Sequence, residues 1–188
     1  MILINDLLDL SKLETRKREY VFTENDVFEI VNKNIARLSH QLEEKEISII
    51  IAQSTMSTKV ICDRGTISQV IQNILSNSIQ FSEKSRRIFI SFDSKDLSFA
   101  GRQEEPTTLS LLVSIKDEGP GVPGDELNTV FDKFVQSSKT KTGAGGTGLG
   151  LAICKGIIKA HNGKIWAENN PEGGATFSFV LPYEQEIG

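Results

Sequence analysis

The side chains that could do chemistry fall in three places. Asn73 and Asn77 sit four apart, Asp117-Glu-Gly-Pro-Gly121 follows, and Gly143-Ala-Gly-Gly-Thr-Gly-Leu-Gly150 comes last. One helical turn apart, the two amides share a face and can converge on one ligand. Asparagine is a poor mid-helix residue, so two of them beside apolar neighbours call for a purpose. Their neutral oxygens suit Mg²⁺, which takes few protein ligands and completes its shell with phosphate oxygens and water. Asp117 closes a predicted strand, with Gly119 and Gly121 folding the backbone tightly behind it. A carboxylate there can accept from the exocyclic amine of adenine. Four glycines between Gly145 and Gly150 let the backbone approach a phosphate, and Thr147 to Leu151 leads into a helix whose first N–H groups face the anion. This is not a Walker loop, because no Gly-Lys-Ser/Thr follows. Nor is it a dinucleotide fingerprint, because no strand directly precedes it in a βαβ unit. In this order the three groups read as one nucleotide site.

The elements that must position them are legible from periodicity. Met1 to Leu13 carries Leu3, Leu7 and Leu10 at helical spacing, widened by Ile4 and Leu8, yet no cap precedes it. That predicts the tail of a longer helix on a cut piece of chain, its stripe able to pair two copies in a homodimer or to fold back. After the charged stretch Glu14 to Arg18, Tyr20 to Phe22 predicts a short strand. Asn25 or Asp26 can cap a helix running to about Glu44. Strands are expected at 47–52 and 59–62, then a helix marked by Ile67, Val70, Ile71, Ile74 and Leu75 that carries both asparagines. Strands at 87–92 and 109–116 flank a loop or hairpin tip over 94–108. A short helix is expected at 126–134, a polar loop at 135–146, a long helix at 148–160, and strands at 164–168 and 175–181 around a turn at 169–174. This mixture reads as α+β rather than as a repeated βαβ alternation.

Composition narrows the partners. The 188 residues are 38% hydrophobic and 24% charged, with a formal net charge of −4 and no block of like charge, which argues against nucleic acid or an acidic membrane surface. The longest apolar stretch, Ile47 to Ala52, falls far short of the ~20 residues a bilayer span needs, and no signal peptide precedes the first charged residues. Cys62 and Cys154 have no metal or redox spacing and are expected to be buried thiols in a reducing cytosol.

The ordered motifs resemble the catalytic, ATP-binding domain of a sensor histidine kinase, of the GHKL or Bergerat type. Asn73-Ile-Leu-Ser-Asn-Ser-Ile-Gln-Phe-Ser82 resembles the N box, Asp117 to Gly121 the first glycine box, Phe131-Asp-Lys-Phe134 the F box, and Gly143 to Ala152 the second glycine box with its lid. His161 to Glu168 and Gly173 to Pro182 are similar to the family's closing strands, and Ile4 to Glu14 to the end of the second dimerisation helix. The resemblance implies a two-layer sandwich, its mixed, mostly antiparallel sheet of about five strands covered by three helices, with a short N-terminal helix. It implies the helix tail and linker at 1–18 and the catalytic domain at 19–185, in the cytoplasm, whether or not a parent protein is anchored in a membrane.

Carried over residue by residue, the resemblance gives Asn77 the Mg²⁺ that bridges the phosphates, with Asn73 supporting. Asp117 holds the adenine amine, Gly119, Gly121 and Val122 shape the adenine slot, and Phe81 packs near base and ribose. Phe134 joins the ATP site from the F box. Gly146, Thr147, Gly148, Leu149 and Gly150 contact the phosphates, and Thr176 closes the adenine pocket. Gln80 stands where the family usually has a lysine, and Gln136 where many relatives have an arginine. Each exchange removes a charge-assisted phosphate contact, so weaker ATP affinity is expected. In hydrolytic relatives the position of Asn73 is a glutamate that activates water, and an amide cannot take that proton.

The implied reaction is therefore transfer of the γ-phosphoryl group to a protein histidine, with onward relay to an aspartate of a response-regulator receiver domain. The acceptor would lie on a helical phosphoacceptor domain of the parent kinase, outside this chain. Neither His40 nor His161 has the acceptor context, and solvent-exposed or capping roles are expected for both. The alternative is a nucleotide-holding module of the same fold that transfers nothing, as Gln80 and Gln136 suggest.

Overall fold

The computed structural model describes residues 7, 11, 18–53, 56–97, 108–137 and 146–184. Of the helix expected over residues 1–13, Leu7 and Ser11 are described and helical, and its other residues, with 98–107 of the hairpin tip, lie outside these. Eleven elements follow one another among the described residues: β1 (Thr23–Asp26), α1 (Val27–Arg37), α2 (Ser39–Glu44), β2 (Ser48–Ile51), β3 (Lys59–Cys62), α3 (Arg64–Phe81), β4 (Arg87–Leu97), β5 (Thr108–Asp117), α4 (Gly150–Ala160), β6 (Lys164–Asn169) and β7 (Ala175–Pro182).

Five strands form one sheet in the order β2-β4-β5-β7-β6, with β2 parallel to β4 and every other pair antiparallel. β1 and β3 make a separate antiparallel ribbon. The expected mixed, mostly antiparallel five-stranded sheet under helices is what forms. Its core follows from two periods meeting. β5 buries Leu111, Val113 and Ile115 on alternate residues, while α3 buries Ile67, Val70, Ile71, Ile74, Leu75 and Ile79 at helical spacing. α4 adds Ile153, Ile157 and Ile158. Each such side chain contributes about 1.5–3 kcal/mol of burial, so the face that α3 turns away from this core is free to be polar.

The β5 alternation has a chemical consequence. Asp117 is the next residue in phase after Ile115, and it is only 6% exposed. The strand's own geometry carries a carboxylate into the interior at the sheet's end.

Four local expectations differ from the structure. The strand pairing to β3 is Thr23–Asp26 rather than Tyr20 to Phe22. Tyr20 and Phe22 instead lay their rings against His161, with centroids 5.5 and 5.0 Å away, and Val21 donates its N–H to Asp63 Oδ2 at 2.9 Å. The helix to Glu44 is interrupted at Leu38, where φ −97° and ψ 6° leave helical geometry while burying the side chain. β4 runs on to Leu97, because its polar end still pairs across to Thr108. The segment 126–134 forms turns. Val130 N–H reaches Glu126 O at 2.8 Å, but Phe134 ends the segment at φ 61°.

Both cysteines are free and buried, as expected, and burial pushes both thiols up to about 12. His40 is exposed. His161 is the C-cap residue of α4 but fully buried, not solvated. Its Nδ1 lies 2.8 Å from Ile157 O, and its Nε2 accepts the Asp63 N–H at 3.0 Å. An acceptor at Nε2 fixes the proton on Nδ1 and the ring as neutral.

Candidate nucleotide-binding site

The polar face of α3 is built by spacing. Gln69, Gln72, Asn73, Ser76, Asn77 and Gln80 recur every three or four residues, and all six line one cavity of about 770 Å³. Opposite them stand Pro120, Gly121 and Val122 after β5, Gly146 to Gly148, Gly150 and Leu151 at the start of α4, and Ala175 and Phe177 on β7. Val130, Val135, Gln136 and Ser137 complete the wall among the described residues.

The two ends of the cavity differ chemically. At one end, Asp117 Oδ1 accepts the N–H groups of Gly119 and Ala175 at 3.0 and 3.1 Å, and Oδ2 accepts the Ser78 hydroxyl at 3.3 Å. Burial holds this carboxyl above the usual carboxylate range, and the three donors oppose that rise. Arg87 grips the neighbouring Glu118 through both its guanidinium, at 2.7 Å, and its backbone N–H, at 2.9 Å. At the other end, Asn73 Nδ2 donates to Gly150 O at 3.1 Å and ties α3 to the first turn of α4. Asn73 and Ser78 are five residues apart, so α3 separates the two ends by roughly 8 Å along its axis.

The start of α4 is the feature most suited to an anion. Asp26 caps α1 and Asp63 caps α3 through their side chains, but α4 begins at Leu149 with no side-chain cap. The Thr147 hydroxyl oxygen accepts the N–H of Leu149, the residue before the helix, at 3.2 Å. The N–H groups that open the helix therefore lie at the cavity without a capping side chain, and the helix dipole favours negative charge there. Gly148 is required for this approach. It sits at φ 69°, and a Cβ would come within 2.9 Å of the Phe134 carbonyl carbon. Phe134 N–H in turn donates to Gly148 O at 3.0 Å.

Eleven of the fifteen residues expected at the ATP site line the cavity: Asn73, Asn77, Gln80, Phe81, Asp117, Gly121, Val122, Gly146, Thr147, Gly148 and Gly150. Four stand elsewhere. Gly119 lies behind Asp117, Leu149 is buried in the core, and Phe134 is 64% exposed and buttresses Gly148. The Thr176 hydroxyl donates to Asn170 Oδ1 at 2.6 Å, and Ala175 takes the place on the wall. Gln136 does not simply leave a gap for a missing arginine. Its amide donates to Gly146 O across the neck of the glycine-rich loop. The helical run Gln69, Gln72 and Ser76 could have been found by extending the Asn73–Asn77 period in both directions. The β7 contributors carry no chemical signature in sequence and are found only once the strand order is known.

Asp117 is the one titratable side chain on the described wall, and no lysine or arginine stands there. No three His, Cys, Asp or Glu side chains among the described residues could hold a metal by themselves. The Asn77 side chain makes no hydrogen bond to another described residue, which leaves its amide oxygen available to a hard cation.

Residues 62–185 match the family described as histidine kinase-, DNA gyrase B-, and HSP90-like ATPase. Sensor histidine kinase WalK of Bacillus subtilis is 34% identical over 185 residues, covering 98% of this chain and 28% of WalK. Full-length ShkA in complex with AMPPNP superposes with a TM-score of 0.77 at 25% identity, covering 99% of this chain and 36% of ShkA. ThkA in complex with the response regulator TrrA superposes with a TM-score of 0.68 at 26% identity, over 97% of this chain and 50% of ThkA. The chain thus spans under a third of WalK's length. The extent of the match, and its agreement with a helix end and a buried carboxylate placed across one cavity, make this chain a member of the histidine kinase-, DNA gyrase B- and HSP90-like ATPase family, among the catalytic domains of sensor histidine kinases.

Proposed function

We propose that this domain binds Mg·ATP and transfers the γ-phosphoryl group to a histidine on a helical phosphoacceptor domain, for relay to an aspartate of a receiver domain. The observation that carries the reading is the chemistry of the cavity wall around Asn73. Around the end where α4 begins, the described side chains are amides and hydroxyls, and the one carboxylate, Asp117, lies at the far end. No described group near the proposed phosphates can take a proton from water, whereas a histidine brings its own nucleophilic nitrogen. The solved complexes of ShkA with AMPPNP and of ThkA with a response regulator support the nucleotide and the relay partner by likeness.

In this reading Asp117, fixed by Gly119 and Ala175, accepts from the adenine amine, while Val122, Phe81 and Phe177 pack the base. Asn73 braces α3 against α4, and Asn77 offers its free amide oxygen to Mg²⁺. A bound Mg²⁺ would neutralise phosphate charge and complete its shell with phosphate oxygens and water. The opening turn of α4, with Gly148 and Gly150, receives the phosphates. Cytoplasmic placement is part of the same proposal, since the phosphate donor is cytoplasmic; no helix among the described residues is long and apolar enough to cross a membrane.

The absence of lysine and arginine from the described wall favours one second reading, a module that holds nucleotide weakly and transfers nothing. The two separate on mixing this domain with the separately produced helical domain and γ-labelled Mg·ATP. Acid-labile, base-stable label on the helical domain is expected. Nucleotide binding without any label leaves the second reading standing.

A further inference from the structure

The turn joining β6 to β7 does more than reverse the chain. Its backbone closes on itself: Asn170 N–H donates to Gly174 O and Gly173 N–H to Asn170 O, both at 3.0 Å. Neither asparagine side chain is needed for that. The Asn169 amide instead reaches across the fold to Val122, accepting its N–H on Oδ1 at 2.8 Å and donating from Nδ2 to its carbonyl at 2.6 Å. Asn170 Nδ2 donates to the backbone carbonyl of Asp117 at 3.1 Å, and its Oδ1 is held by the Thr176 hydroxyl at 2.6 Å. Only an amide both donates and accepts in this way. Gly174 lets the turn come this close, since a Cβ there would lie 2.0 Å from Asp117 O, and the residue is at φ 82°.

Two consecutive side chains thus make three hydrogen bonds to the two ends of the Asp117–Val122 segment, from about fifty residues further along the chain. We infer that Asn169 and Asn170 are positioning residues that set the width of the base slot, with Thr176 orienting Asn170 and touching no base. The inference rests on the ATP-binding reading above. Asn169 acts on Val122, which lines the slot, and Asn170 on the residue whose carboxylate meets the adenine amine. Loosening either end costs selectivity for the base, while the phosphate end, held by Asn73 and Gly150, is untouched.

The test measures dissociation constants for ATP and GTP, together with thermal midpoints, in Asn169→Ala, Asn169→Asp and Asn170→Ala. Asn34→Ala serves as the control. The Asn34 amide is buried between α1 and α3, bonded to Ile30 O and Ser68 Oγ, so its loss lowers stability away from the slot. Loss of two neutral hydrogen bonds predicts that Asn169→Ala weakens ATP about tenfold and GTP much less, shrinking the preference for ATP by a similar factor. Asn169→Asp keeps the acceptor for Val122 N–H and falls between. Asn34→Ala lowers the midpoint and leaves the preference intact. The inference is overturned if the preference stays within about twofold in both alanine variants at the turn, or if Asn34→Ala erodes it equally. A wild-type domain that binds ATP while the variants match it removes the clamp alone. A wild-type domain that binds neither nucleotide removes the ATP-binding reading and the clamp with it, and one that binds both alike removes the clamp, because there is then no base preference for the turn to set.

Discussion

Replacing Asp117 by asparagine separates stability from function, because the structure predicts opposite signs for the two. The substituted amide keeps an oxygen where Oδ1 accepts from Gly119 and Ala175, so the local fold is preserved. It exchanges Oδ2, which the Ser78 hydroxyl now approaches, for an NH₂ donor. Facing an adenine amine, that donor cannot accept. A hydrogen bond to a charged acceptor is worth about 1.5–3 kcal/mol, and leaving the amine unpaired costs about 1–3 more, so ATP binding falls at least about a hundredfold. Stability moves the other way. The folded-state pKa of Asp117 is raised by burial, so its unfavourable contribution is absent below the ordinary carboxylate pKa, grows as pH rises toward the raised value, and is fully present above it. Asparagine carries no such penalty. Each kcal/mol relieved raises the melting temperature by about 2–4 °C in a domain of this size. Titration calorimetry with ATP and nucleotide-free thermal melts at neutral pH check both halves. An Asp117→Asn domain that binds ATP within about threefold of wild type would refute the adenine contact. One that melts lower would refute the view that the buried carboxylate is retained for ligand rather than for the fold.

Other consequences follow from single groups. His161 is neutral in the fold and burial holds its pKa below the ordinary 6.5, so stability is full above that value and declines as pH falls through it toward the lower folded-state value. His161→Gln flattens this limb, read as urea midpoints at about pH 7.5 and 5.5; equal slopes would contradict it. Lys45 donates to the carbonyls of Ile79, Gln80 and Ser82 at 2.7, 2.7 and 2.9 Å, closing the C-terminus of α3. Lys45→Met is expected to cost about 1–2 kcal/mol in urea unfolding, and an unchanged midpoint would mean that water replaces the cap. Gln80→Lys puts a cation on the cavity wall and is expected to tighten ATP binding by about threefold to tenfold, more at low salt than at high. Unchanged affinity would show that Gln80 does not face the phosphates.

The parts of this molecule that were readable in advance are those in which one period or one spacing decides the outcome. Asn73 and Asn77 share a face because α3 has one apolar stripe and its opposite side is free. Asp117 is buried because it keeps phase with Leu111, Val113 and Ile115. What escaped notice depended on partners remote in sequence. Tyr20 and Phe22 have strand-like composition, yet His161, far along the chain, takes their rings, and Asp63 takes the N–H of Val21 between them. The 126–134 segment has helical spacing, but Phe131 turns in against Phe177, with ring centroids 6.3 Å apart, and the backbone stays in turns. Thr176 and Ala175 are neighbours on a strand, so a shift of one residue decides which faces the cavity. The roles of Asn169 and Asn170 could not be read from the turn composition that announced them, because their hydrogen-bond partners belong to β5 and the loop after it.

The proposed function requires that the amide-lined end of this cavity spare water and deliver phosphate to histidine. It is tested most directly by following γ-labelled Mg·ATP in the presence of the helical phosphoacceptor domain and dividing the label between protein and free phosphate. Label is expected on the histidine first, with free phosphate lagging behind it and nearly absent when the helical domain is left out. Free phosphate released at the same rate with or without that domain, and no labelled protein, would contradict the account.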